Sequence, residues 1–355
     1  MGLLPSFLVR IPRSDLFHAR SSRSRRGPRI EAGTLRAMAA PEAPRATRLT
    51  GIQLGVGLCA LAAVLWAASA TVARQLIDDG TSPLELTEAR ALAAAVAFWL
   101  IAGRQRRGPG TSPGRRSARP SVIALGATIA GVNLTYFLAI ERLPIAIAVI
   151  IQYTAPALVV VYDLLVEHRR PSRATIAALV GVLTGVVLIS DAAGAFSGGV
   201  GLDAIGVTFA AASAFGFAAY NILAARTEPA YGSIGAHARA FTVATLIWIV
   251  VQVPRGTPDT LFHLSSLPGI AIVTLVGTVA AFGIYSAGIR RIGATHATIT
   301  STLEPVAVAL FGVLLLDQQL TAAQVLGAIL VLGSVITLRP REVVVPPPGP
   351  AAHPA

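Results

Sequence analysis

Glu304 is the residue with the most chemistry to offer. It lies about eleven positions into the apolar stretch 293–316, close to its middle, and is followed at once by Pro305. A charged carboxylate at such a depth in hydrocarbon costs at least a few kcal/mol unless something compensates it. Such a group binds a cation, for example a substrate ammonium, or takes and releases a proton; the structural alternative is a protonated carboxyl hydrogen-bonded to a neighbouring helix. Pro156 occupies the matching place in another apolar stretch, just after Gln152 and Tyr153. Proline removes a backbone donor and clashes with the carbonyl four residues earlier, so Gln152 and Ser301 are expected to carry freed acceptors. At membrane depth such backbone must be buried in protein or line a polar cavity, and a kink that serves packing alone is the other reading. Asn133 and Tyr136, one turn apart, share a face, and Tyr220 and Asn221 sit deep in a further stretch. Each is either a substrate contact or an interhelical hydrogen bond, while Trp66 either lines a cavity or packs. His296 is a candidate proton-coupling group beside Glu304, with an interfacial histidine as the alternative. Asp163 and Glu167 are expected to pair locally with Arg169 and Arg170. Glu88 and Arg90, two residues apart, cannot face each other on a helix, so Arg90 is expected to reach another helix or to snorkel outward.

These residues need elements that cross a membrane. The chain has 355 residues, 54% hydrophobic and 13% charged, with a mean hydropathy of +0.68, against roughly 25% charged residues in soluble domains. That excludes most soluble folds. Ten stretches reach helical spanning length: 52–73, 84–103, 121–140, 144–166, 173–190, 203–225, 234–253, 267–289, 293–316 and 321–338. No strict alternation suggests a barrel. The expectation is an all-α integral membrane protein of ten transmembrane helices, with tight hairpins at Glu141–Pro144 and Arg290–Gly293. The small-residue face at Gly181 and Gly185 serves close packing, within the chain or at a homodimer seam.

Arginine sets the orientation. All 29 basic residues are arginine, which reads as high-GC coding bias, and the formal net charge is +12. With the N-terminus cytoplasmic, 25 of the 29 fall on the inner side, and both termini are then cytoplasmic. The short loops around Arg104–Arg107 and Arg115–Arg116 lack interleaved aromatics, so no nucleic-acid partner is expected. Residues 1–50 read as a disordered arginine-rich tail, with a transit peptide and an organelle membrane as the alternative, and Met38 is a second candidate start, which would drop residues 1–37. Residues 339–355 read as a proline-rich cytoplasmic tail.

The chain also repeats itself. At an offset of 149, Ala89-Arg90-Ala91 falls on Ala238-Arg239-Ala240, Trp66 on Phe215, Tyr136 on Tyr285, Arg142 on Arg291 and Pro156 on Pro305. Two five-helix units, 51–190 and 202–338, follow, with the glycine-rich Ser190–Gly201 between them. Five is odd, so the second unit enters from the opposite side, and inverted repeats place a substrate site near the midplane.

The stretch from Tyr136 through Glu141-Arg142-Leu143-Pro144 to Gln152-Tyr153-Thr154-Ala155-Pro156, its partner from Tyr285 to Leu303-Glu304-Pro305, and Val64-Leu65-Trp66 near the start resemble the EamA family of the drug/metabolite transporter superfamily. The resemblance covers about 52–338. It implies two five-helix repeats, a central cavity, and movement of small metabolites, often amino acids or their derivatives, across the inner membrane. Where the family commonly has Gly-Glu after helices 4 and 9, this chain reads Val166-Glu167-His168 and Leu316-Asp317-Gln318. Where its amino-acid exporters often have a mid-helix glutamate, this chain has Gln152.

An enzyme is not expected. Tyr162-Asp163 lacks the Gly-x-Gly-Asp partner of an intramembrane aspartyl protease, no His-Glu-x-x-His occurs, and a chain without lysine has no P-loop. With Cys59 the single cysteine and six scattered histidines, neither a metal centre nor another cofactor is expected. The expectation is a secondary transporter that exports a small metabolite by alternating access, with proton coupling as its preferred energy source; a membrane scaffold or sensor is the alternative.

Overall fold

The computed structural model describes residues 45–104, 118–143, 145–190, 203–255, 266–316 and 319–338. The tails up to residue 44 and from 339, the arginine loop 105–117, most of the glycine-rich segment and Asp317-Gln318 lie outside the described residues. Among the described residues every regular element is helical.

The first unit begins with α1 (Arg45–Asp78), α2 (Pro83–Arg104) and α3 (Arg119–Arg142). Then α4 (Ile145–Gln152) and α5 (Ala155–Leu165) follow each other across a turn at Tyr153-Thr154, and α6 (Arg173–Ile189) closes the unit. The second contains α7 (Ala204–Gln252), α8 (Leu267–Thr274), a π-helical turn at Leu275–Ala280, α9 (Ala281–Ser301), α10 (Leu303–Leu316) and α11 (Ala322–Thr337). Among the described residues, six helical stretches are long and apolar enough to cross a membrane, and Arg173–Ile189, Leu303–Leu314 and Ala322–Thr337 are shorter apolar helices.

Two of the long stretches are not straight. Gly232 (φ 66°, ψ 164°) and Gly293 (φ 78°, ψ 166°) leave the helical region, in a conformation that side chains with a Cβ rarely adopt. The Tyr220 hydroxyl meets His237 Nε2 at 3.1 Å although 17 residues separate them. A continuous helix would hold them about 25 Å apart. The chain therefore doubles back at Gly232, and the contact of Tyr285 with Ser301 shows the same across Gly293.

The helix starts follow local chemistry. Ser172 accepts from the Thr175 N–H and Asp203 from the Ile205 N–H, while Thr321 and Gln324 form a capping box. Helix pairs approach through small residues. A Cβ on Gly185 would lie 2.6 Å from Val331 Cγ2 and 2.8 Å from the Gly327 carbonyl oxygen, so α6 and α11 touch backbone to backbone. Gly181 packs against Ser334 of the same helix. The face of Gly181 and Gly185 is thus filled from within the chain, which leaves the homodimer seam without it. Large apolar side chains such as Trp99, Ile123, Val180, Val250 and Ile336 point outward, as a lipid solvent requires.

Candidate functional site

A cavity of about 100 Å³ lies where α1, α2, α3, the α4–α5 turn, α7, the π-helical turn, α9 and the start of α10 converge. Seven of the candidate site residues line it: Trp66, Asn133, Tyr136, Gln152, Tyr153, Tyr220 and Glu304. The Tyr153 hydroxyl donates to Glu304 Oε2 at 2.7 Å. Because Tyr153 belongs to the first unit and Glu304 to the second, this bond joins the two across the cavity. A hydrogen bond to a charged group is worth about 1.5–3 kcal/mol.

The local chain breaks account for this placement. α4 ends at Gln152 and α5 begins at Ala155 with Pro156 in its first turn, and α9 ends at Ser301 with Pro305 in the first turn of α10. In a first turn proline needs no N–H partner. The regular helix is interrupted for one or two residues just before each proline, at Tyr153-Thr154 and at Thr302, so that each proline sits in the first turn of the next segment. Pro156 and Pro305 are buried and do not line the cavity; Gln152, Tyr153 and Glu304 beside the breaks do.

One wall is aromatic. The Trp66 ring meets Phe217, Phe282 and Tyr285 with centroids 6.1, 5.3 and 4.8 Å away, each such pair worth about 0.5–1.5 kcal/mol beyond its buried area. Tyr220 is fully buried, with its hydroxyl between His237 and Ser286. Asn221 is also fully buried but turns away from the cavity: its Oδ1 accepts from the Tyr285 hydroxyl at 2.7 Å and its Nδ2 donates to the Phe217 carbonyl. His296 does not line the cavity either; it sits beside Thr295, whose hydroxyl donates to Asp163 at the arginine-rich end of the bundle.

Arg90 was not among the candidate site residues. It does not snorkel. The residue is 9% exposed and lines the cavity, and its guanidinium donates from Nη2 to Asn133 Oδ1 at 2.9 Å. An arginine well inside a span whose neighbours include Thr87, Ala91, Ala94 and Ala95 was the available signal, because small residues mark a face turned to other helices. His237 touches the Tyr220 hydroxyl through Nε2 and is fully buried, with no motif in the sequence to mark it.

Outside the spans, Glu167 pairs locally with Arg169, as expected, and also across the units. Arg226 Nη2 donates to its Oε1 at 2.9 Å and also to the Tyr162 hydroxyl, whereas Arg169 stands 3.8 Å away. The Arg226 guanidinium, with the Tyr162 hydroxyl next, holds the Glu167 carboxyl below the usual carboxylate range. At the other end Arg142 pairs with Asp203 at 3.2 Å. A larger groove of about 440 Å³ between α2 and the second half of α7 is lined by Leu92, Val96, Trp99, Leu100 and Leu246 with two threonines, and offers no charged group.

Helices clad in apolar side chains around a small central cavity with one acid and one base define a multi-pass membrane transporter. The chain belongs to the EamA-like transporter family, whose model matches twice, over residues 53–191 and 204–339. It is 28% identical over 284 residues to the uncharacterized inner membrane transporter YicL of Salmonella typhimurium, covering 78% of this chain and 92% of that one. It is 26% identical to the uncharacterized transporter YwfM of Bacillus subtilis, covering 79% and 93%. It is 24% identical to the threonine/homoserine exporter RhtA of Salmonella typhimurium, covering 63% and 74%. A crystal structure of a protein 20% identical to the chain superposes with a TM-score of 0.64, covering 80% of this chain and 95% of that one, and has the same fold.

Proposed function

We propose that the chain is a secondary transporter that exports a small metabolite, an amino acid or a related compound, across the inner membrane by alternating access. The observation that carries this reading is the meeting of Tyr153 and Glu304 across a cavity walled by both matched segments. In the proposed topology ten crossings form two inverted five-helix repeats, 51–190 and 202–338, with both tails cytoplasmic. Glu304 binds the substrate's ammonium group and exchanges a proton that couples transport to the membrane gradient. Gln152, Tyr136, Asn133, Tyr220 and Trp66 complete the site, and the breaks before Pro156 and Pro305 set its floor. The exporters among the relatives support the substrate class and the outward direction. Metabolite profiling of cells with and without the protein tests the reading: external amino-acid pools rise with the protein, whereas unchanged external pools favour a scaffold or sensor.

A further inference from the structure

Arg90 and Glu304, a guanidinium and a carboxyl group, share one cavity without pairing. Each is instead fixed by a neutral group from a different element, Asn133 of α3 and Tyr153 of the α4–α5 turn. Asn133 accepts from Arg90 through Oδ1 and donates from Nδ2 to the Ile129 carbonyl, which orients its amide oxygen toward the guanidinium. Tyr153 donates to Glu304 Oε2. Among the described residues no carboxylate lies within 4.0 Å of Arg90, although its charge and that of Glu304 act on each other. A guanidinium has five N–H donors in a fixed fork that matches a carboxylate, and Arg90 spends one of them on Asn133. An arginine this deeply buried is expensive in a membrane unless an anion meets it.

We propose that the cavity reads a zwitterion at two points: the fork of Arg90, held by Asn133, receives the substrate carboxylate, and Glu304, held by Tyr153, receives its ammonium group. The proposal rests on the reading of this cavity as the transport site and adds Arg90 as a specificity-determining residue. The selectivity follows from charge. A zwitterion satisfies both groups, an amine leaves Arg90 unpaired and repelled, and a simple carboxylate does the same to Glu304. The aromatic wall of Trp66, Phe217 and Phe282 takes the side chain, and a cavity of about 100 Å³ keeps it small.

The test measures thermal stabilisation of the purified full-length protein in detergent by three matched sets: threonine, 1-amino-2-propanol and 3-hydroxybutyrate; alanine, ethylamine and propionate; phenylalanine, phenethylamine and 3-phenylpropanoate. The wild type should bind at least one amino acid tenfold or more tightly than its amine and its acid. Arg90→Gln should lose the preference over the amine, Glu304→Gln should lose the preference over the acid, and Arg90→Lys should keep part of the first. Gain of amine or acid binding in the glutamine variants also shows that they are folded. No stabilisation of the wild type by any of the three amino acids, or an undiminished preference over the amine in Arg90→Gln, overturns the two-point reading. Uptake by proteoliposomes is the separate arm: binding as described with no uptake of any bound amino acid overturns the transport reading alone.

Discussion

The bond between Tyr153 and Glu304 concentrates the chemistry of the site, since it fixes the carboxyl group in place across the cavity. Tyr153→Phe keeps the ring and removes the donor, so it should weaken substrate binding by roughly 10- to 100-fold, corresponding to about 1.5–3 kcal/mol, with little change in folding. Isothermal titration of the purified variant checks this. Proton coupling through Glu304 predicts that Glu304→Gln in proteoliposomes loses uptake driven by a pH gradient while eluting as the wild type does on gel filtration; unchanged pH dependence would contradict it. A polar side chain in a span must face protein, and that rule marks Asn133, Tyr136, Gln152, Tyr153, Tyr220 and Glu304 in the sequence. It does not say which protein face. Asn221 and Tyr220 are adjacent, yet Tyr220 reaches the cavity and Asn221 meets Tyr285. The difference lies in how the helix is rotated against its neighbours, which depends on packing across more than sixty residues of chain.

Among the helices, the breaks and the end ties decide what can move. Glu167, Tyr162 and Arg226 link the end of α5 to the first half of α7, and Asp163 and Thr295 link α5 to the segment after Gly293. Both ties cross between the units at the arginine-rich end. Glu167→Gln should loosen that end and lower the melting temperature in detergent at neutral pH. Because the folded-state carboxyl titrates below its usual range, the tie stabilises at and above that range and is lost as pH falls through the lowered value. The difference between wild type and Glu167→Gln should therefore vanish in acid, which melting curves across pH can check. At the α6–α11 contact, Gly185→Val must displace Val331 or the Gly327 backbone and should cost about 1–3 kcal/mol, read as a lower midpoint of denaturation. The apolar stretches were legible because lipid demands about twenty consecutive apolar residues. The cross-unit partner of Glu167 was not, since Arg169 is near in sequence and Arg226 is near only once α5 and α7 lie side by side.

The molecule as a whole is two copies of one unit whose side chains have diverged where they meet. Arg90 and Arg239 are equivalent under the 149-residue offset. Arg90 enters the cavity, whereas Arg239 packs over the rings of Trp99 and Tyr231 and donates to the Gly235 carbonyl. The site is thus polarised, with its charges coming from opposite copies, while the surrounding framework keeps the repeat. A cavity walled by both copies can open to one side and then to the other if they rock against each other. Cys59, the single cysteine, is fully buried against α9, so Cys59→Ala supplies a cysteine-free background at the cost of a small void. Gln152→Cys in that background places one thiol on the cavity wall. In proteoliposomes of fixed orientation, a membrane-impermeant maleimide should label this thiol from either side, and a transported amino acid should slow labelling from both. Labelling from one side only, or labelling that substrate leaves unchanged, would contradict an alternating-access site at this cavity.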